Sequence, residues 1–237
     1  MFVLASLFAA AMLSPSHVET DTLARPNPPA ACIDGSSIGG SVARDLRAAL
    51  EAHGGVVRWD GARGPVRLWV QRRPDFAADV SVTAAQWRLA VSAGTDAWRD
   101  VVPGLSFALQ SDSSEADVIV TWVRELRDTL TSGELAFRTA GRTTLVPAED
   151  GRALLAHVRL AVYAPGAVRY AVDDVRAVAR HEFGHVLGLA HHAAPSSVMS
   201  PLVRAERLSD GDRATLRALY GLPIGARCVA LPADDRR

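Results

Sequence analysis

Along this chain the apolar positions switch between helical spacing and strand-like alternation, and the switches mark out a series of elements. From Ser41 to His53, Val42, Leu46, Ala49 and Leu50 fall on one helix face, and Gly54-Gly55 stops the pattern. Val66–Val70 alternates in part, as a strand does, and ends before Pro74. Ser81-Val82-Thr83 opens a long helix that runs to about Asp100 and is closed by Pro103-Gly104. Within it Trp87, Val91 and Trp98 lie near one stripe and read as core. Ser106–Leu109 is a short strand, and Asp117–Trp122, rich in β-branched residues, is a stronger one. Glu134–Val146 fits either a strand pair or an extended loop, and Leu154–Tyr163 reads as a strand. Val172–Leu189 is a helix with Asp173 and Asp174 at its positive end. Ser209-Asp210-Gly211-Asp212 begins a last helix that runs to about Tyr220 and stops at Gly221 and Pro223. A strand, a helix, further strands and then two helices predict an α+β fold with a mixed sheet.

The N-terminus changes the picture of where the protein acts. Met1–Leu13 is an apolar run too short to span a bilayer, which needs ~20 residues. Small residues follow it, and residues 1–20 read as a secretory signal, although no basic residue precedes the run. Residues 14–40, rich in Pro, Ser, Gly and Ala, read as a linker. In an exported protein Cys32 and Cys228 are a candidate disulfide. Cys32 could instead carry a lipid, against which the Pro-rich spacer argues, or act as an inhibitory zinc ligand in a pro-segment. No later segment is apolar enough to cross a membrane.

Composition adds bounds rather than a function. With 49% apolar residues in 237, a full core can be buried without staples. The 26 basic and 26 acidic residues cancel, which gives no electrostatic case for nucleic acid or an anionic membrane as partner. Every basic residue is arginine, a bias of composition.

Candidate chemistry lies in one stretch. His181 and His185 stand four residues apart in a helix, so both imidazoles share one face, one turn apart. Two imidazole nitrogens so placed can meet one zinc ion at about 2.0–2.1 Å. Glu182 points about 100° round the helix, where it is poorly placed to ligate that ion and well placed to reach a water on it. The spacing therefore separates two ligands from one base. A catalytic zinc needs a third protein ligand and an open position. His191 lies six residues past His185, and a continuous helix would turn it through about 600°, away from the site. Gly188 stands where the helix must break, because glycine accepts a positive φ.

Downstream, Ser197-Val198-Met199-Ser200-Pro201 puts a methionine eight residues after His191. The extended histidine motif with this methionine resembles the metzincin clan. Within it, the chain resembles the matrixins, the peptidase family of the matrix metalloproteinases, as a compact domain of bacterial type. Ala116-Asp117-Val118-Ile119-Val120 is similar to that family's central strand, and Leu208–Gly221 to its closing helix. The resemblance covers residues 56–222 and is strongest from Val178 on. It implies a metzincin fold: a mixed, twisted sheet of about five strands, a long backing helix, an active-site helix, a methionine turn and a C-terminal helix. Met199 would form an apolar floor under the zinc, and Pro201 the wall of a substrate pocket. It implies a zinc endopeptidase acting on protein or peptide, with Glu182 as general base; with the signal-like N-terminus the protein is expected to be secreted, and a monomer is expected. Residues 56–237 would be the catalytic domain, preceded by a linker or N-terminal extension over 21–55.

The chain also departs from the family. His192 follows the third histidine, where matrixins usually carry serine; it could replace His191 as a ligand, but the spacing favours His191. Pro201 stands where astacins and serralysins have a tyrosine ligand, which argues against one here. Of the ligands that hold a second, structural zinc in vertebrate matrixins only His157 remains, with Tyr170 near another, so one zinc is expected. Clustered carboxylates and glycines for structural calcium are not evident, and calcium stays open. His17 and His53 belong to no constellation. Leu154–Tyr163 is read as the neighbourhood where an extended substrate adds to the sheet edge. Two rival readings stand beside the peptidase. One is a zinc hydrolase acting on another amide or ester. The other is a zinc-holding binding module without turnover, against which the presence of Glu182 argues.

Overall fold

The computed structural model describes residues 32–72, 74, 81–126, 140–164, 167–202 and 205–232. The expected signal over 1–20, His17 and the first part of the ambiguous Glu134–Val146 stretch lie outside them. The described chain begins with strand β1 (Ile33–Asp34) and helix α1 (Gly40–His53). Strand β2 (Val66–Val70) leads into helix α2 (Ser81–Asp96), then β3 (Phe107–Leu109) and β4 (Val118–Val123). Strands β5 (Gly141–Pro147) and β6 (Ala153–Ala161) follow, then a small hairpin of β7 (Tyr163–Ala164) and β8 (Val168–Arg169). Helix α3 (Val172–Val186), helix α4 (Asp210–Gly221) and strand β9 (Val229–Ala230) complete it.

The main sheet has five strands in the order β3-β2-β4-β6-β5, and the fold is the α+β type expected. Strands β3, β2, β4 and β6 run parallel, and only β5 is antiparallel. A parallel neighbour needs a long crossover, which α2 supplies between β2 and β3. On β4, Val118, Val120 and Trp122 are buried and alternate with half-buried positions, as the strand period requires. Trp122 meets the buried Trp87 of α2 at 5.4 Å between ring centroids, which fixes α2 against the sheet. Trp98 is buried just past α2, and its Nε1 donates to the Arg180 carbonyl at 2.9 Å, tying this backing helix to α3.

Two expectations are corrected. Strand β6 is paired on both sides, with β4 and β5, so it has no free edge to offer a substrate; among the described residues the outer strand on that side is β5. The chain passes β4, runs out to β5 and returns inside it, an order that no local pattern encodes. The linker reading also fails from Cys32 onward. Ile33 pairs with Val229 in a parallel two-stranded sheet, α1 packs on α4, and Arg47 Nη2 donates to the Pro232 carbonyl at 2.6 Å.

Cys32 and Cys228 are disulfide-bonded, with Cα atoms 4.6 Å apart across a sequence separation of 196. A crosslink closing so long a loop removes much freedom from the unfolded chain. Replacing both cysteines by serine should lower the free energy of unfolding by about 2–5 kcal/mol. Urea denaturation of the oxidised protein and the double variant measures it.

Candidate functional site

Helix α3 carries the first two histidines with their rings aimed the same way. His181 Nδ1 donates to the Val198 carbonyl at 2.7 Å, and His185 Nδ1 to the Leu189 carbonyl at 2.8 Å. A carbonyl can only accept, so each Nδ1 holds the proton and each Nε2 presents a lone pair. Those two Nε2 atoms lie 3.1 Å apart. Two acceptors at that distance repel unless a shared cation joins them. Ligands of one tetrahedral zinc stand about 3.3–3.4 Å apart at a bond length of about 2.05 Å.

The helix ends where the sequence requires. Gly188 has φ 95°, its N–H bonds the His185 carbonyl, and Leu189 N–H bonds the Gly184 carbonyl. A side chain at 188 would be strained by that φ and would meet the Val57 carbonyl oxygen at 2.4 Å. The reversal brings the His191 ring to 5.2 Å from His181 and 4.8 Å from His185, centroid to centroid. One ligand atom from each histidine lies within 4.8 Å of the others. Burial pushes the His181 pKa down to about 4, against the pull of the Val198 carbonyl. It pushes that of His185 down to about 3, helped by His181. Burial also lowers His191. Neutral imidazoles are what a metal ligates, and the donor set fits zinc.

Glu182 is 4% exposed and lies against edge strand β5. Thr143 Oγ1 donates to Glu182 Oε2 at 2.6 Å. A Cβ placed on Gly141 would sit 2.4 Å from Glu182 Oε1, so the carboxylate fills the room that glycine leaves. Burial pushes the Glu182 pKa up to about 7, opposed by the Thr143 hydrogen bond and by Arg142. Neither Thr143 nor Gly141 was signalled by the sequence. They sit in the stretch whose period was ambiguous, and only the pairing of Gly141 with Leu160 and Thr143 with Val158 turns them toward α3.

Met199 is fully buried under α3, where a Cβ on Gly184 would lie 2.1 Å from its Sδ. The turn that carries it is fastened to α4. Asp212, wholly buried, accepts from Ser197 Oγ, from Val198 N–H at 3.1 Å and from Ser209 N–H at 2.8 Å. His192 is not in the histidine cluster. It is buried with Nδ1 3.2 Å from Asp212 and 3.6 Å from Asp45 of α1. His53, which had no partner by sequence, hydrogen-bonds the backbone of Gly188, and burial lowers its pKa. The N-terminal extension therefore reaches the turn after α3 at two points, Gly188 through His53 and His192 through Asp45. Pro201 is exposed, two residues beyond Met199, and His157 is exposed on β6 opposite Ile119 and Thr144.

Comparisons with known proteins agree with this geometry. The family model described as matrixin matches residues 76–221. Human matrix metalloproteinase-25 is 49% identical over 55 residues, which is 20% of this chain and 10% of that protein. Human matrix metalloproteinase-20 is 29% identical over 161 residues, 60% of this chain and 29% of that protein. Rat stromelysin-3 is 47% identical over 53 residues, 21% of this chain and 11% of that protein. The chain thus spans less than a third of the length of each of these relatives. The family match extends over more than half of the chain and contains the histidine cluster: the protein belongs to the matrixin family of peptidases.

Proposed function

We propose that this protein is a secreted, zinc-dependent endopeptidase. The observation that carries the reading is the convergence of His181, His185 and His191 beside a buried carboxylate, Glu182, that rests on β5, the outer strand of the sheet among the described residues. The three histidines would hold one zinc ion, and Met199, buried against Gly184 of α3, would be the apolar floor of that site. Zinc, when bound, supplies Lewis acidity that lowers the pKa of water from 15.7 to about 7 and polarises the scissile carbonyl. Glu182 accepts the proton of the attacking water and returns it to the leaving amine. Strand β5 is the outer strand among the described residues, and an extended peptide adds to it through main-chain hydrogen bonds, whatever its sequence. Pro201 borders the pocket for a substrate side chain.

Export is supported by the apolar run at Met1–Leu13 and by the disulfide, which persists in oxidising compartments. The working protein is then a monomer that begins after the signal and keeps residues 32–55 docked on a catalytic domain of 56–237. Among the described residues no helix is long and apolar enough to cross a membrane.

Digestion of a peptide library by the purified mature protein, with metal analysis, tests the reading. Cleavage with about one zinc per chain, lost on chelation and regained with zinc, is the expected result. Bound zinc with no cleaved peptide would leave a binding module instead, and cleavage that survives complete removal of metal would defeat the zinc mechanism.

A further inference from the structure

Glu182 sits on α3, yet its carboxylate is held by a different element. Strands β5 and β6 pair so that Gly141 faces Leu160 and Thr143 faces Val158, both buried residues. Directly opposed residues share a sheet face, so Gly141 and Thr143 point to the side on which α3 packs. Along β5 they are two residues apart, the spacing that puts both on one face. Gly141 leaves the room and Thr143 supplies the hydrogen bond. The hydroxyl lies 2.6 Å from Glu182 Oε2 and 3.2 Å from the Glu182 carbonyl oxygen, so its single proton goes to the carboxylate. The Glu182 side chain has three rotatable bonds and would otherwise sample several rotamers.

We propose that Thr143 is a positioning residue for peptide hydrolysis: its hydroxyl fixes the Glu182 carboxylate against the substrate-binding edge strand. The inference rests on the peptidase reading above. A base fixed before substrate arrives needs no reorganisation in the transition state, so the benefit falls on kcat rather than on KM. Because β5 is also the strand on which the substrate is read, the same few residues set both the register of the peptide and the direction of the base.

The test compares wild type, Thr143→Val, Thr143→Ala, Thr143→Ser and Glu182→Ala as zinc-loaded full-length mature protein, on one fluorogenic peptide. Valine keeps the shape of threonine and removes the donor, whereas serine keeps the donor. Thr143→Val is expected to lower kcat by about ten-fold or more, as for loss of a hydrogen bond to a charged group, with KM within about two-fold and zinc content unchanged. Thr143→Ser is expected to restore most of the kcat. Thr143→Ala gives the same reading if the valine variant does not fold. If Thr143→Val or Thr143→Ala turns over like wild type while Glu182→Ala is dead, this inference falls and the peptidase reading stands. A serine variant as slow as the valine one also overturns it, because shape rather than the hydroxyl would then matter. Equal cleavage by wild type and Glu182→Ala would remove the reading itself and this inference with it.

Discussion

Replacing Glu182 with alanine is expected to lower kcat for peptide cleavage by about 10²–10⁴-fold and to leave the zinc content unchanged. The two effects separate because the structure separates the two roles. Among the described residues the histidine cluster is built from His181, His185 and His191, and the Nδ1 partners of the first two are main-chain carbonyls that do not involve Glu182. Glu182 instead meets Thr143 and the space before Gly141. Removing its carboxylate takes away a proton acceptor and no ligand. A Glu182→Gln variant sharpens the comparison: it keeps the size and can still accept from Thr143, but an amide does not take up a proton at neutral pH. Steady-state kinetics with elemental analysis of the same samples measures both quantities. Alanine and glutamine variants as active as wild type would show that Glu182 is not the base.

The legible part of this site is the part governed by local geometry. Four-residue spacing on a helix places His181 and His185 together whatever surrounds them, and the turn to His191 needs only a residue that tolerates positive φ, which Gly188 is. Family spacing added Met199. What escaped depends on partners far away in the chain. Thr143 and Gly141 become neighbours of Glu182 only because β5 is laid outside β6, and nothing in Leu154–Tyr163 or Gly141–Pro147 says which strand takes the edge. Strand β1 is two residues long in a Gly- and Pro-rich region. It exists because Cys228 and β9 are brought to it, so local composition read the region as a linker. His192 drew attention as a rival ligand, but its environment is set by Asp212 and Asp45, 20 residues after it and 147 before it.

Asp212→Ala is expected to destabilise the protein by about 3–5 kcal/mol at pH 7, because several buried donors lose one shared charged acceptor. Asp212 is the third residue of α4 and closes its capping box with Ser209, so its loss frees the first turn of that helix. It also leaves the Ser197 hydroxyl, the Val198 N–H and the His192 ring without their acceptor inside the core. The pH dependence follows from its titration. Burial pushes its pKa up, but hydrogen bonds from His192, Ser197 and Ser209 outweigh it and hold the group at about 2, below the ordinary 3.8. A carboxyl with a depressed folded pKa stabilises fully above its unfolded value and loses that contribution as pH falls through the folded one. Of the total, about 2 kcal/mol should therefore vanish between pH 4 and pH 2, so urea curves of wild type and variant should draw closer there. Because the Val198 carbonyl orients His181, a looser turn should also weaken zinc binding by about 10–100-fold. Asp212→Asn keeps the volume and one acceptor, so it should retain part of the stability while losing the acid-dependent part. A variant with wild-type stability across this range would show that the methionine turn is held by its packing against Gly184 rather than by the carboxylate.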